Sequence, residues 1–536
     1  MPIFALNKFR QLSFIMNREK LVLRLSETES AFDFVVIGGG ATGIGIALEA
    51  ATRGYSVILL EQSDFTKSTS SKSTKLVHGG VRYLAQGNIG LVREACVERG
   101  LLVKNAPHLV RNQPFVIPAF GLFDEVLYTV GLTFYDLLAG KYSLGRSLRI
   151  SKTKTLEKLP TLKKRKVSAG IEYHDGQFDD SRLAINALQT AIEHGACAIN
   201  YMPVKSLLKN DKQMICGVSA LDLETGKGYE IKGKAVINAT GVFADEVLQM
   251  DSPGQRNTMR PSQGIHLVLD KSFLGNDYAL MIPKTNDGRV LFAVPWHGKV
   301  VVGTTDTPID TPTLEPVAIE HEIDFILNTM AKYLTKAPTR ADVLSIFAGL
   351  RPLAAPKNEN SKTKEISRSH KITVTSSQLF TMIGGKWTTF RRMAQDMVDK
   401  VEKTKNWERT KTATRQMKLH GYKENIDLNH SLYFYGSDKE ELLKLMESEP
   451  NANRLISSKL NIYAGQVIWA VRYEMARTVE DFLSRRVRCL ILDAREALQI
   501  APRVAQIMAK ELGKDEQWEK DQIKELEEVA SNYILQ

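Results

Sequence analysis

The stretch Phe32-Asp33-Phe34-Val35-Val36-Ile37-Gly38-Gly39-Gly40-Ala41-Thr42-Gly43 constrains this chain more than any other. Phe34 to Ile37 is a short apolar, partly β-branched run of the kind that forms a buried strand. Gly38, Gly40 and Gly43 follow at G-x-G-x-x-G spacing, and Ile44 to Ala51 reads as a helix. Strand, glycine turn and helix in this order build a dinucleotide site. Gly38 permits the tight turn, Gly40 leaves room for a pyrophosphate, and Gly43 lets helix and strand close up. The free N–H groups of the helix start then face the phosphates. Tyr55 to Leu60 reads as the next strand, with Glu61 at its end. An acid about twenty residues past the glycines accepts a hydrogen bond from a ribose 2′-hydroxyl and repels a 2′-phosphate, which disfavours NADP.

With 536 residues the chain can bury a large core and predicts two or three domains. Cys96, Cys197, Cys216 and Cys489 are scattered without a C-x-x-C pair, which argues against a disulfide framework or a zinc site and for a reducing compartment. A net charge of +11 points to nucleic acid, an anionic membrane surface or an anionic substrate. No RNA-binding signature is present, so nucleic acid is set aside. No apolar run reaches the roughly 18 residues a membrane span requires; Val126 to Ala139 is apolar but short and broken by Asp136. Met1 to Ser30 carries Lys8, Arg10, Arg18, Lys20 and Arg24 among Leu and Phe. It reads as a basic amphipathic helix on a membrane, a targeting segment, a disordered extension, or a start placed upstream of Met16.

Beyond Glu61 a hydroxyl-rich run, Ser68 to Thr74, leads into His78-Gly79-Gly80-Val81-Arg82-Tyr83. Paired glycines let backbone approach a flat ring, and an adjacent arginine can grip an anion with two bonds. Lys152 to Lys166 reads as a solvated lysine-rich surface. Gly170 to Asp180 reads as a turn-rich lead-in to a helix, Ser181 to His194, capped by Asp179 or Asp180. In that reading His174 and Asp175 belong to a turn and not to catalysis. Lys234 to Gly241 is an apolar strand ending in Ala-Thr-Gly; with no second glycine fingerprint, it favours bound FAD over exchanging NAD. From about 255 an antiparallel sheet is expected, with strands at Gly264–Leu269, 278–283, 290–295 and 300–305 and His266 near the start of the first. Gly349-Leu350-Arg351-Pro352-Leu353, Arg368 and Gly384-Gly385-Lys386-Trp387-Thr388-Thr389 add basic residues beside glycine turns or strand ends.

These motifs, with Glu474 to Arg486 further on, resemble the FAD-dependent glycerol-3-phosphate dehydrogenases from about Asp33 to the C-terminus. The resemblance implies an α/β fold: a Rossmann-like FAD-binding domain with an inserted antiparallel-sheet substrate domain (33–401), a linker (402–416) and a C-terminal α-helical domain (417–536), after an N-terminal extension (1–32). It implies oxidation of glycerol 3-phosphate by hydride transfer to FAD, with electrons passed to quinone at a membrane surface. FAD is expected along Gly38, Gly40, Gly43, Glu61, Ser71, His78, Gly79, Gly241, Gly349, Gly385 and Thr388. His266 would be the base and Arg351 would stabilise the reacting oxygen; Arg82, Tyr83, Arg368 and Lys386 would hold the phosphate. The helical domain would cover the site, form a homodimer contact or meet the membrane. No long insertion of the oxygen-using relatives and no EF-hand loop of the animal mitochondrial members is evident. From this the expected location is the inner face of a bacterial cytoplasmic membrane. The rival readings are a flavoenzyme acting on an amino acid or 2-hydroxy acid, an oxidase using oxygen, and an RNA-binding flavoprotein.

Overall fold

A computed structural model describes residues 16–28, 30–81, 84, 87–165, 167–285, 288–355 and 370–535. Phe32–Ile37 is a strand and Ala41–Thr52 a helix, so the glycine fingerprint turns where its spacing requires. The strand is central to a sheet of eight strands among the described residues. Its order is Lys371–Val374, Leu379–Ile383, Gly228–Asn238, Phe32–Ile37, Val57–Leu60, Cys197–Ile199. The last five pair in parallel, and Val204–Lys209 with Ile215–Leu221 forms a hairpin against Gly228–Asn238. Phe34, Val35 and Val36 are fully buried, so this parallel strand is covered on both faces and leaves neither for polar residues.

The second sheet has ten strands among the described residues, ordered Thr307–Pro308, Ser262–Asp270, Lys299–Gly303, Leu291–Trp296, Ala279–Ile282, Val110–Ala119, Ala169–Phe178, Leu76–Val77. Val343–Arg351 pairs with Ser262–Asp270, and Leu148–Ser151 with Ala169–Phe178. This is the expected antiparallel sheet, apart from one parallel pair between Ala279–Ile282 and Val110–Ala119. One reading changes: Gly170 to Phe178 is strand and not turn. A Cβ on Gly170 would meet Thr155 Oγ1 at 2.5 Å, and one on Gly176 would meet the Val77 carbonyl oxygen at 2.6 Å. These glycines serve close packing inside a sheet. The helix that follows, Asp180–Glu193, is capped by Asp179, which accepts from the Arg182 amide at 3.3 Å.

Within the N-terminal extension, Arg18–Glu27 is a helix capped by Asn17, with Leu21 and Leu25 buried. Arg18 is buried too and bonds Asp222 at 2.6 Å, so this helix is docked on the nucleotide-binding half. The stretch 402–416 is also held down: Thr412 donates to Glu49 at 3.1 Å, and Asn105 donates to the Thr414 carbonyl at 3.2 Å.

The C-terminal domain is helical, with Ala464–Glu474, Ala494–Leu512 and Glu516–Ser531 around Val467, Phe482, Leu483, Val504 and Met508. The stretch 466–493 is divided after Glu474, where Met475 adopts a left-handed conformation (φ 51°). Beyond the break, Arg486 reaches back to Asp64 with two bonds of 2.8 Å, both side chains fully buried, and Arg485 joins it on the same carboxylate. Arg182 pairs with Glu474 at 2.7 Å and Arg488 with Asp179 at 2.9 Å. No described helix is long and apolar enough to cross a membrane.

Candidate active site

The glycine turn opens on a cleft of about 1230 Å³. At Gly38 φ is +106°, and a Cβ would lie 2.8 Å from the Ala239 carbonyl oxygen. At Gly43 a Cβ would lie 1.8 Å from the Gly38 carbonyl oxygen, so neither position admits a side chain. Gly40 is the N-cap of the Ala41–Thr52 helix and has no side chain between its amides and the cleft. Glu61 stands on the same wall and accepts from the Gly39 amide at 2.6 Å and the Ser63 amide at 2.9 Å. Burial raises its pKa despite those bonds. Gly241 (φ +61°) and Gly385 (φ +98°) line the cleft from the returning strand and the Gly-Gly turn. The lining suits FAD: helix amides for pyrophosphate, a carboxylate just past the second strand for a ribose hydroxyl, and bare glycine backbone at Gly241 and Gly385.

Two of the residues expected along FAD sit behind this wall. Ser71 turns inward, its hydroxyl donating to the Ser68 carbonyl at 3.3 Å, while Ser68, Thr69 and Ser70 face the cleft. Ser70 accepts from the Ala41 amide at 2.9 Å, a contact the hydroxyl-rich composition hid among equals. Gly349 spaces its strand from the same loop, since a Cβ there would meet the Lys72 carbonyl oxygen at 2.8 Å.

A second pocket, of about 910 Å³, is lined by His78, Thr74, Asp175, Arg289, Thr304 and Arg351 among others. The two sites share their turns. The His78 amide donates to Thr388 Oγ1 at 3.2 Å, and Thr69 Oγ1 donates to the Leu350 carbonyl at 2.6 Å, one residue before Arg351. Arg351 holds its fork rigidly, donating to the Gln263 carbonyl at 3.0 Å, the Thr305 carbonyl at 2.8 Å and Thr304 Oγ1 at 3.1 Å. The fork occupies the space a Cβ on Gly264 would take.

His266 is set one residue back from the pocket. It is 3% exposed, stacks on Phe347 with ring centroids 4.8 Å apart, and places Nε2 2.8 Å from Thr74 Oγ1. Thr74, not His266, stands on the wall. Burial, then the charges of Arg351 and Lys75, hold the His266 pKa well below its ordinary value, so the ring is neutral.

Gly79 is buried, and the place of its missing Cβ is taken by Tyr135 Oη (2.4 Å from the Cβ position) and Cys96 Sγ (2.5 Å). Its amide donates to Tyr135 Oη at 2.9 Å. Tyr135 in turn donates to Asp175 Oδ2 at 2.8 Å, and Arg99 donates to both Tyr135 and Asp175. This buried network behind the His-Gly-Gly turn carries no motif, and Asp175 reads in sequence as a turn residue. Lys386 lines the cofactor cleft and is not among the residues of the second pocket. Arg82, Tyr83 and Arg368 lie outside the described residues.

The chain matches the family model "FAD dependent oxidoreductase" over residues 33–385 and "C-terminal domain of alpha-glycerophosphate oxidase" over 376–519. It is 36% identical to the mitochondrial glycerol-3-phosphate dehydrogenase of Schizosaccharomyces pombe, with 97% of this chain and 89% of that protein covered. It is 37% identical to the human mitochondrial protein of that name, over 95% of this chain and 74% of the relative. Among solved structures, the glycerol-3-phosphate dehydrogenase of Bacillus halodurans complexed with FAD superimposes with a TM-score of 0.80 at 29% identity, covering 98% of this chain and 99% of that one. The α-glycerophosphate oxidase of Mycoplasma pneumoniae, at 18% identity and a TM-score of 0.56 over 72% of this chain and 97% of that one, shares the fold. The bacterial cytoplasmic-membrane location expected from the sequence is overturned, because the fission-yeast, human and other curated relatives are mitochondrial proteins. Glycine cleft, second pocket and helical C-terminal domain are thus built by one chain, and that chain belongs to the FAD-dependent glycerol-3-phosphate dehydrogenase family.

Proposed function

We propose that the protein oxidises sn-glycerol 3-phosphate to dihydroxyacetone phosphate and passes the electrons to a membrane quinone. The observation that carries this reading is the cluster of Thr74, His78 and Arg351 on one pocket wall, tied by hydrogen bonds to turns of the cofactor cleft. Bound FAD supplies the acceptor for the hydride that leaves C2 of the substrate. The C2 hydroxyl must lose its proton as the hydride departs. Thr74 lines the pocket, and behind it His266 Nε2 lies 2.8 Å from Thr74 Oγ1; with the ring proton on Nδ1, the neutral imidazole takes the substrate proton through Thr74. The rigid Arg351 fork stabilises the oxygen as it becomes a carbonyl. Arg82, Tyr83 and Arg368 are assigned to the dianionic phosphate, for which guanidinium forks are suited; Lys386, on the wall of the cofactor cleft, is assigned to the flavin side. His78, itself on the wall, is the second reading for the base. The mitochondrial relatives support a mitochondrial membrane as the source of the quinone.

The test is an anaerobic absorbance titration of the flavin-loaded protein with sn-glycerol 3-phosphate. Bleaching at near-stoichiometric substrate, followed by reoxidation with a soluble quinone analogue, is the expected result. An unchanged flavin spectrum would remove the substrate, and rapid reoxidation by air with peroxide release would replace quinone by oxygen.

A further inference from the structure

Lys75 is held in the left-handed region, at φ 62°. Glycine reaches that region without steric cost, and lysine does not. What lysine supplies in exchange is its side chain. The side chain is wholly buried, and its ammonium donates to the Ser71 carbonyl at 2.6 Å and to the two oxygens of buried Asp180 at 2.7 and 2.9 Å. Every N–H of the ammonium is used in this way.

Asp180 also fastens the other side of the turn. Ser73 donates to Asp180 Oδ2 from its hydroxyl at 2.7 Å and from its amide at 3.2 Å. The Lys75 amide donates to Ser73 Oγ at 3.0 Å, and the Lys75 carbonyl accepts from the Phe178 amide at 3.0 Å. The carboxylate itself is fixed at the start of the Asp180–Glu193 helix, where it accepts from the Ser181 amide at 2.8 Å. Thr74 therefore sits between two residues tied to one carboxylate. It is the residue of this turn that stands on the pocket wall, with its Oγ1 2.8 Å from His266 Nε2.

The same ammonium approaches the histidine through an aromatic ring. Phe347 lies opposite His266 on the neighbouring strand, and the two rings stack 4.8 Å apart at 15°. Lys75 Nζ lies 5.4 Å from the centroid of that Phe347 ring and 4.9 Å from that of Trp296. The elements packed around His266 bring two cations with their counter-ions. The strand Val343–Arg351 brings Arg351, paired with Asp306 at 3.4 Å, and the hydroxyl-rich loop brings Lys75, paired with Asp180. The strand Lys299–Gly303 brings Gly303, where a Cβ would lie 2.2 Å from the imidazole.

We propose that Lys75 and Asp180 form a buried clamp that positions Thr74 against His266 and sets the charge the imidazole feels. Neither residue lines the cofactor cleft or the second pocket, so both are positioning residues. The proposal rests on the proton relay described above and names the pair that holds it in register. An ion pair that served stability alone would have no reason to leave the relay threonine as the one residue between its two anchor points.

The test uses the flavin-loaded full chain, with kcat and KM for sn-glycerol 3-phosphate measured across pH with a dye acceptor. Lys75→Met is expected to lower kcat about a hundredfold with little change in KM, because the relay threonine loses its place. Removing this cation favours the imidazolium, so the acid limb of kcat/KM should move up by about one pH unit. Asp180→Asn leaves the ammonium without its counter-charge and should move the limb the opposite way. The same two displacements should appear without turnover in the titration of the His266 ring, followed by NMR on isotope-labelled histidine and assigned with His266→Asn. Thr74→Val/Lys75→Met should be about as slow as Thr74→Val alone, since residues that act as a unit do not multiply their effects. If Lys75→Met fails to retain flavin, Asp180→Asn carries the test by the same measures. A Lys75→Met loss that is as large in the Thr74→Val background as in wild type would overturn the proposal and leave the relay standing. So would an acid limb and a His266 titration that neither variant moves. A Thr74→Val enzyme at the wild-type rate would remove the relay, and the clamp with it.

Discussion

At the scale of residues, the cofactor cleft depends on atoms that are absent. The 1.8 Å separation between a Cβ at position 43 and the Gly38 carbonyl oxygen leaves no rotamer to relieve it, because both partners are backbone. Gly43→Ala is expected to yield protein with almost no bound flavin, measured as the ratio of flavin to protein absorbance. Gly38 and Gly43 were legible in sequence because a steric demand of this kind allows only one residue type. The base was less legible. A histidine near a strand start does not reveal whether its ring meets the pocket, and here Thr74 stands between. Thr74→Val keeps the volume and deletes the hydroxyl, so kcat should fall about a hundredfold if the relay operates. With His266 held well below its ordinary value of about 6.5, first by burial and then by Arg351 and Lys75, its neutral form persists through neutral pH. The acid limb of kcat/KM is therefore expected below pH 6.5. A Thr74→Val enzyme with the wild-type rate and profile would move the base role to His78.

At the scale of elements, the strands with unbroken apolar runs were legible because two-sided burial leaves a simple pattern. Ala169–Phe178 was not, since its glycines and polar residues read as turn chemistry. Crowding by Thr155 and Val77 accounts for those glycines, and Asp175 is polar because Arg99 and Tyr135 are buried beside it. Ion pairs between elements are equally silent in sequence. His420 lies between Glu193, at the end of the Asp180–Glu193 helix, and Asp438, at 2.5 and 2.7 Å. Burial opposes its charge, but the two carboxylates prevail and raise its pKa to about 10. A folded value above the unfolded one stabilises the protein fully below about pH 6.5 and ceases to do so as pH rises through 10. His420→Gln is expected to cost about 2 kcal/mol near pH 6, discounted for the partial exposure of Glu193. The difference from wild type should shrink toward pH 10 in denaturant titrations.

At the scale of the whole molecule, family motifs revealed the order of the parts, and long-range charge pairing revealed how they are joined. Asp64 is fully buried between Arg485 and Arg486. Burial alone would raise its pKa; the two guanidiniums instead bring it to about 2. Asp64→Asn leaves two buried cations short of a counter-charge and is expected to cost about 3–5 kcal/mol. Thermal unfolding followed by flavin release and by far-UV circular dichroism should then separate into two transitions where wild type shows one. No periodicity announces a pair 422 residues apart, so this seam between the halves was invisible before folding.

That seam also sets an order in time. Asp64 lies three residues beyond Glu61, on the loop that leaves the cofactor cleft, yet Arg486, which neutralises it, follows 422 residues later in synthesis. During synthesis the dinucleotide loop stays electrostatically unfinished until that later segment emerges. Flavin capture is then expected to come late: ribosome-bound chains cut before Arg485 should hold less flavin than chains that extend past Arg486, however well the glycine turn has formed.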